Sequence, residues 1–226
     1  MSFLGIIPAR KGSKSLLNKN ILKINNKPLF FYAANALINS NKIDKKIYST
    51  DSKIISNYAT KYGFEKRSLR PKKLSTDKTK IIDVLKYELV KESKYNNFKY
   101  VVLVQATSPT VTTNLIDRAI VKALKEDADN VITGFDCNMK HPSTFFSAGA
   151  NNKIEWLVND KNRDSRRQDF RKYFIRTGLV YVIKSKLILN NKLYGKKIHF
   201  IQIPEEQAIT IDTISDFKKA KNLLKK

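Results

Sequence analysis

The stretch Tyr100-Val101-Val102-Leu103-Val104-Gln105, running into Ala106-Thr107-Ser108-Pro109, decides the fold. An unbroken apolar run without helical period, closed by a polar residue and a turn, reads as a strand buried on both faces. Such a strand needs covering layers on each side, and the chain supplies them in both directions. Upstream, Phe3 to Ile7 reads as a strand, followed by a loop to about Lys27. Leu29 to Asn39 has helical period after Pro28, a residue suited to a helix start. Lys46 to Ser49 reads as a second strand, Ser52 to Tyr62 as a helix capped by Thr50 or Asp51, and Thr79 to Ser93 as a third helix. Downstream follow a helix over Thr113 to Glu126, strands over Asn130 to Phe135, Leu179 to Ile183 and His199 to Ile203, and a closing helix from Thr213 to Leu224. This alternation predicts an α/β fold with a parallel-rich sheet and helices on both faces. The rhythm breaks over about 138–174, where Gly149, Asn151, Asn152 and a charged run predict a β-arm or a lid. The expectation is one domain over 1–226 carrying that insertion.

Composition narrows the function classes. The formal charge is +24, but the excess is lysine scattered along the chain rather than a dense basic block. No zinc-finger spacing or RNA-recognition signature occurs, so nucleic-acid binding is not expected as the main function. The apolar runs are too short to cross a bilayer. Met1 to Pro8 reads as a strand rather than a secretory signal. Cys137, the only cysteine, permits no internal disulfide and fits a reducing compartment, so a cytoplasmic location is expected. The same residue reads as a small apolar filler. His141 and His199 are too few for a histidine metal site.

Ligands of open α/β sheets bind beyond the carboxyl ends of the strands. The segment IIPARKGSKSLLNKN (Ile6–Asn20) stands at such an end. It crowds Arg10, Lys11, Lys14 and Lys19 into one loop, while Gly12 and Ser13 permit close backbone approach and supply donors. Several cations beside an accessible backbone are what a triphosphate requires. The spacing is neither that of a Walker loop nor a G-x-G-x-x-G turn.

This opening resembles the signature of the acylneuraminate cytidylyltransferase family, the CMP-sialic acid synthetases and the bacterial relatives that activate legionaminic and pseudaminic acids. The likeness continues in order through Ser49-Thr50-Asp51, RPKKLSTD (Arg70–Asp77), LVQATSP (Leu103–Pro109), KHP (Lys140–Pro142), RRQD (Arg166–Asp169) and IDTISDF (Ile211–Phe217). It implies a Rossmann-like, GT-A-like nucleotidyltransferase that transfers CMP from CTP to a nine-carbon acidic sugar, uses Mg²⁺, and forms a homodimer through its insertion. By the same resemblance Arg10, Ser13 and Lys14 grip the triphosphate, and Asn20, Arg70 and Thr79 hold the nucleotide. Gln105 binds the sugar, Arg167 reaches the acidic sugar or the reacting phosphates, and Asp212 binds the metal.

Plainer readings stand beside these. Ser49-Thr50-Asp51 fits a helix cap, Arg70 before Pro71 a surface turn, and Gln105 a strand-end contact. Thr213 with Asp216 fits a capping box, which would leave Asp212 merely beside it. His141 before Pro142 reads as structural. The chain also departs from the family pattern: Thr210 stands where a first metal carboxylate is usual and Ile81 where a second hydroxyl is usual. Thr177 replaces an asparagine, and Ile175 stands where some members carry arginine.

Overall fold

The computed structural model describes residues 2–12, 15–94, 96–137, 141–158 and 171–225. In chain order the elements are β1 (Phe3–Pro8), a short antiparallel pair β2 (Lys23–Ile24) and β3 (Lys27–Pro28), α1 (Leu29–Ile38), β4 (Lys45–Ser49) and α2 (Lys53–Lys61). Then come α3 (Ile81–Glu92), β5 (Tyr100–Val104), α4 (Thr113–Lys125), β6 (Asn130–Asp136), β7 (Phe146–Ala148) and β8 (Ile154–Trp156). The chain closes with β9 (Phe174–Lys184), α5 (Ser185–Leu189), β10 (Ile198–Gln202) and α6 (Ile214–Leu223).

The main sheet has the order β10-β6-β9-β5-β1-β4. Strand β1 runs parallel to β4 and β5, and β10 parallel to β6, while β9 lies antiparallel between β5 and β6. The sheet is therefore mixed and mostly parallel. Alternation along β5 sends Val102 and Val104 to one face, where they pack with Phe30, Leu37, Ile116 and Ile120 beneath α1 and α4. Val101 and Leu103 face the other way, against Leu85, Leu89 and Ile188 of α3 and α5. Burial on both faces explains why β5 has no polar alternation. A smaller cluster of Ile24, Leu29, Ile211 and Ala220 docks α6 beside the β2–β3 turn. Among the described residues no helix is long and apolar enough to cross a membrane.

Three expectations need correction. The cap of α2 is Ser52, whose Oγ accepts from Ile55 N at 3.3 Å, and neither Thr50 nor Asp51 fills that place. Strand β9 begins at Phe174 rather than Leu179. Its first residues pair with the end of β6, and the register jumps from Ile132↔Tyr181 to Thr133↔Thr177. Gly178, Leu179 and Val180 thus bulge out of the β6 ladder, and the polar Arg176 and Thr177 hide the strand from any reading of apolar runs. The short α5 was not foreseen, since a helix of one turn carries no period. Within the stretch 138–174, the described residues form the antiparallel hairpin β7–β8, with Phe146 and Trp156 edge to face at 5.7 Å.

Candidate active site

Beyond the carboxyl ends of β1 and β5, on the side covered by α3, lies a cavity of about 350 Å³. It brings together Arg10, Asn20, Arg70, Thr79, Gln105 and Asp212, together with Lys19, Asp77 and Ile81. Ser13, Lys14 and Arg167 lie outside the described residues.

The loop after β1 is held from several directions. Ala9 N donates to Ser49 O at 2.9 Å, and Lys11 N donates to Asp51 Oδ1 at 2.7 Å. Asp51 therefore anchors the basic loop instead of capping a helix. Arg10 Nη1 pairs with Asp77 Oδ1 at 2.6 Å. Asn20 is 8% exposed, and its Nδ2 donates to Arg10 O at 3.0 Å. Its Oδ1 is buried without a hydrogen-bond partner among the described residues. A buried acceptor left open costs about 1–3 kcal/mol, and its place at the cavity marks a position for an incoming N–H donor. Lys19 Nζ reaches Asp212 Oδ1 at 2.8 Å.

Arg70 is 6% exposed, so the surface-turn reading fails. Its N donates to Thr50 O at 2.7 Å and its Nε to Ser75 Oγ at 3.1 Å. Burial pushes its guanidinium down from the ordinary value, against the pull of Asp51 and Glu88. An arginine starts so high that it remains charged. Beneath it, Arg67 bridges Glu88 (2.8 Å) and Glu92 (2.5 Å), and Glu88 accepts from Ser49 Oγ at 2.6 Å. This network ties the end of β4 to α3 and to the segment that carries Arg70. Thr79 Oγ1 accepts from Thr76 N at 3.1 Å, which closes the loop before α3. Ile81 contributes an apolar wall where the family pattern has a hydroxyl.

Gln105 follows β5 and lines the cavity, with its N donating to Leu179 O at 3.4 Å. A Cβ on Gly178 would lie 3.2 Å from the Gln105 carboxamide, so glycine at 178 lets the glutamine lie against the β9 bulge without being displaced. Asp212 lies just before α6. The capping box of Thr213 and Asp216 is present, with Asp216 N donating to Thr213 Oγ1 at 3.2 Å. The box and a cavity-lining Asp212 coexist, so the two readings of that segment were not exclusive. Thr210 lies 3.4 Å from Ser108 Oγ, on the other side of buried Ile211 in sequence.

The residues fit a magnesium ion of one kind only. Asp212 is 68% exposed on its side chain, and no group of three or more His, Cys, Asp or Glu among the described residues could hold a metal. A single carboxylate suits an ion whose other ligands are phosphate oxygens and water.

Sequence reasoning missed Asp77 and Asp51 as parts of the site. Each sat within a motif, but a pairing between distant loops leaves no local signal. His141 is structural: Nε2 donates to Arg171 O at 3.0 Å and Nδ1 accepts from Ser143 N at 3.2 Å. Cys137 is buried, which pushes its thiol up and fits the filler reading.

Comparison with known proteins supplies the family. The model of the cytidylyltransferase family, described as "Cytidylyltransferase", matches residues 4–226. The chain belongs to the cytidylyltransferase family. It is 33% identical over 216 residues to the N-acylneuraminate cytidylyltransferase of Streptococcus agalactiae serotype V, covering 94% of this chain and 51% of that protein. The chain thus spans about half the length of this relative and of its counterparts from two further S. agalactiae serotypes. It is 29% identical to the pseudaminic acid cytidylyltransferase of Campylobacter jejuni serotype O:2, covering 100% of this chain and 97% of that one. Among solved structures, a CMP:2-keto-3-deoxy-manno-octonic acid synthetase complexed with CTP superposes with a TM-score of 0.73 at 14% identity, covering 100% of this chain and 99% of that one. At that identity the likeness shows the nucleotidyltransferase fold, and this cytidylyltransferase shares it.

Proposed function

We propose that this cytidylyltransferase transfers CMP from CTP to the anomeric hydroxyl of a nonulosonic, sialic-type acid and releases pyrophosphate. The observation that carries the reading is the convergence of Arg10, Lys19, Arg70 and the open Asn20 Oδ1 on one cavity. A triphosphate suits the cations, and the exocyclic amine of cytosine suits the open acceptor. Nucleotidyl transfer asks the protein chiefly for positioning and charge stabilisation. The anomeric oxygen bonds to the α-phosphorus, the bond from that phosphorus to the bridging oxygen breaks, and pyrophosphate leaves with the electron pair. The hydroxyl proton passes to solvent.

In this reading Arg10, with Ser13 and Lys14 of the same loop, neutralises the departing pyrophosphate. Arg70, Asn20 and Thr79 hold the nucleotide, Gln105 holds the sugar, and Arg167 meets the acidic sugar or the charge that develops at the phosphates. Asp212 is the residue that would hold Mg²⁺, which when bound neutralises phosphate charge. The chain works in the cytoplasm as one domain with an arm at about 138–174. A homodimer built through that arm fits the exposure of Phe146, Trp156 and Leu157 on the hairpin and its flank. Sedimentation would show the mass of two chains.

The deciding experiment is pyrophosphate release from CTP and Mg²⁺ with N-acetylneuraminic, legionaminic and pseudaminic acids offered separately. Release with one of them supports the reading. Release only with an eight-carbon keto-acid sugar, offered in parallel, would change the acceptor class. No turnover, with tight and steeply salt-dependent binding to random DNA, would overturn it in favour of nucleic-acid binding.

A further inference from the structure

We propose that Arg176 is the residue that grips the carboxylate of the acceptor, held in place by Tyr181 and Tyr194; this rests on the nucleotidyl-transfer reading above. The register jump in β9 sets Arg176 opposite Gly134, at the carboxyl end of β6. Its place on β9 shares a face with Gly178, which meets Gln105. A Cβ at Gly178 would point at the Gln105 carboxamide, and residues two apart on a strand share a face. The tyrosines give the same placement independently. Tyr181 pairs with Leu103, two residues before Gln105 on the same face of β5, and packs in the same cluster as Leu103.

Arg176 Nη1 donates to the hydroxyls of Tyr181, at 3.4 Å, and Tyr194. The guanidinium carbon lies 5.9 Å and 5.7 Å from the centres of those two rings, within reach of cation–π attraction. One nitrogen is thus engaged by neutral groups, while Nε and Nη2 have no partner among the described residues. No carboxylate of the described residues lies within ion-pair distance of Arg176. The contrast is with Arg10, which meets Asp77, and Arg67, which meets Glu88 and Glu92. An exposed arginine positioned by rings and without an anion among the described residues presents a planar fork that matches a carboxylate. In a nonulosonic acid the carboxylate sits on the same carbon as the attacking hydroxyl. Gripping it therefore aims that hydroxyl, on the face of the sheet where Gln105 lines the nucleotide cavity. Arg167 is then left to the reacting phosphates.

The test compares the wild type with Arg176→Ala and Arg176→Lys, using the acid that the wild type turns over fastest and the methyl ester of that acid. The wild type should prefer the acid over the ester by about tenfold or more in kcat/KM. Arg176→Ala should raise the acceptor KM by about tenfold to a hundredfold, the scale of a lost hydrogen bond to a charged group. The same variant should leave the KM for CTP within about threefold and turn over acid and ester alike. Arg176→Lys should recover part of the preference, since it restores charge without the fork. An Arg176→Ala enzyme that still prefers the acid as the wild type does, or that loses affinity equally for CTP, would overturn the inference alone. A wild type that releases pyrophosphate with none of the acids would overturn the functional reading and this inference with it.

Discussion

Arg10 Nη1 lies 2.6 Å from Asp77 Oδ1, so the first cation of the basic loop already faces a carboxylate from the loop before α3. The two side chains are 34% and 41% exposed. A pair this open contributes at most about 1 kcal/mol, because water and salt screen it. On the proposed function, a triphosphate entering the cavity would compete with Asp77 for Arg10 and, carrying several charges, would win at small cost.

Arg10→Ala should lower turnover about a hundredfold or more, the magnitude of a lost charge-stabilising contact in the transition state. Its melting temperature should stay close to that of the wild type. Asp77→Asn should act in the opposite sense and lower the KM for CTP by about threefold, the size of an exposed ion pair. Steady-state kinetics at saturating acceptor reads both. Collapse of kcat in Asp77→Asn would instead make Asp77 part of the chemistry.

Asp212→Asn should nearly abolish turnover while the capping box, built from Thr213 and Asp216, keeps α6 in place. The measurement pairs a rate titration in Mg²⁺ with circular dichroism. The Mg²⁺ needed for half-maximal rate should rise, since on the proposed function Asp212 is the one carboxylate that would hold that ion. Full activity in the variant, or in excess chelator, would reduce Asp212 to the partner of Lys19 seen in the ion pair.

Gly178→Ala tests the β9 bulge. The new methyl would stand 3.2 Å from the Gln105 carboxamide, tight enough that the carboxamide must shift by a few tenths of an ångström. The fold should tolerate the change, because the obstacle is the far end of a side chain and not backbone. The KM for the acceptor should rise severalfold with little change for CTP. Equal effects on both substrates would detach Gln105 from the sugar.

Arg67→Ala should leave Glu88 and Glu92, which are 3% and 7% exposed, without their cation. Breaking a buried pair from one side costs about 3–5 kcal/mol. Chemical denaturation should show a loss of this order. Activity should fall as well, because the network carries the segment that presents Arg70. A loss below about 1 kcal/mol would mean that the two carboxylates take up protons or water instead.

The strands and helices around β5 were legible because each carries its own period. An unbroken apolar run demands two covering layers, and Pro28 and Thr213 mark helix starts locally. The candidate site was legible as a set of motifs falling at strand ends, and of the residues named Arg10, Asn20, Arg70, Thr79, Gln105 and Asp212 line one cavity, while Ser13, Lys14 and Arg167 lie outside the described residues. Its internal pairing was not. Asp77 on Arg10, Asp51 on Lys11 and Arg67 between Glu88 and Glu92 all join segments far apart in the chain, and such contacts impose no pattern on neighbouring residues.

By itself the sequence determined the layer architecture, the order of the main strands and helices and the family, since these follow from hydrophobic period and contiguous motifs. The register of β9 was decided only in three dimensions. A bulge depends on which partner residues the two neighbouring strands offer, and β5 and β6 make unequal demands on β9. That bulge places Gly178 against Gln105 and turns Arg176 to the same side. The same holds for the open Oδ1 of Asn20: whether a buried amide finds its second partner depends on groups brought to it by folding, not on its neighbours in the chain.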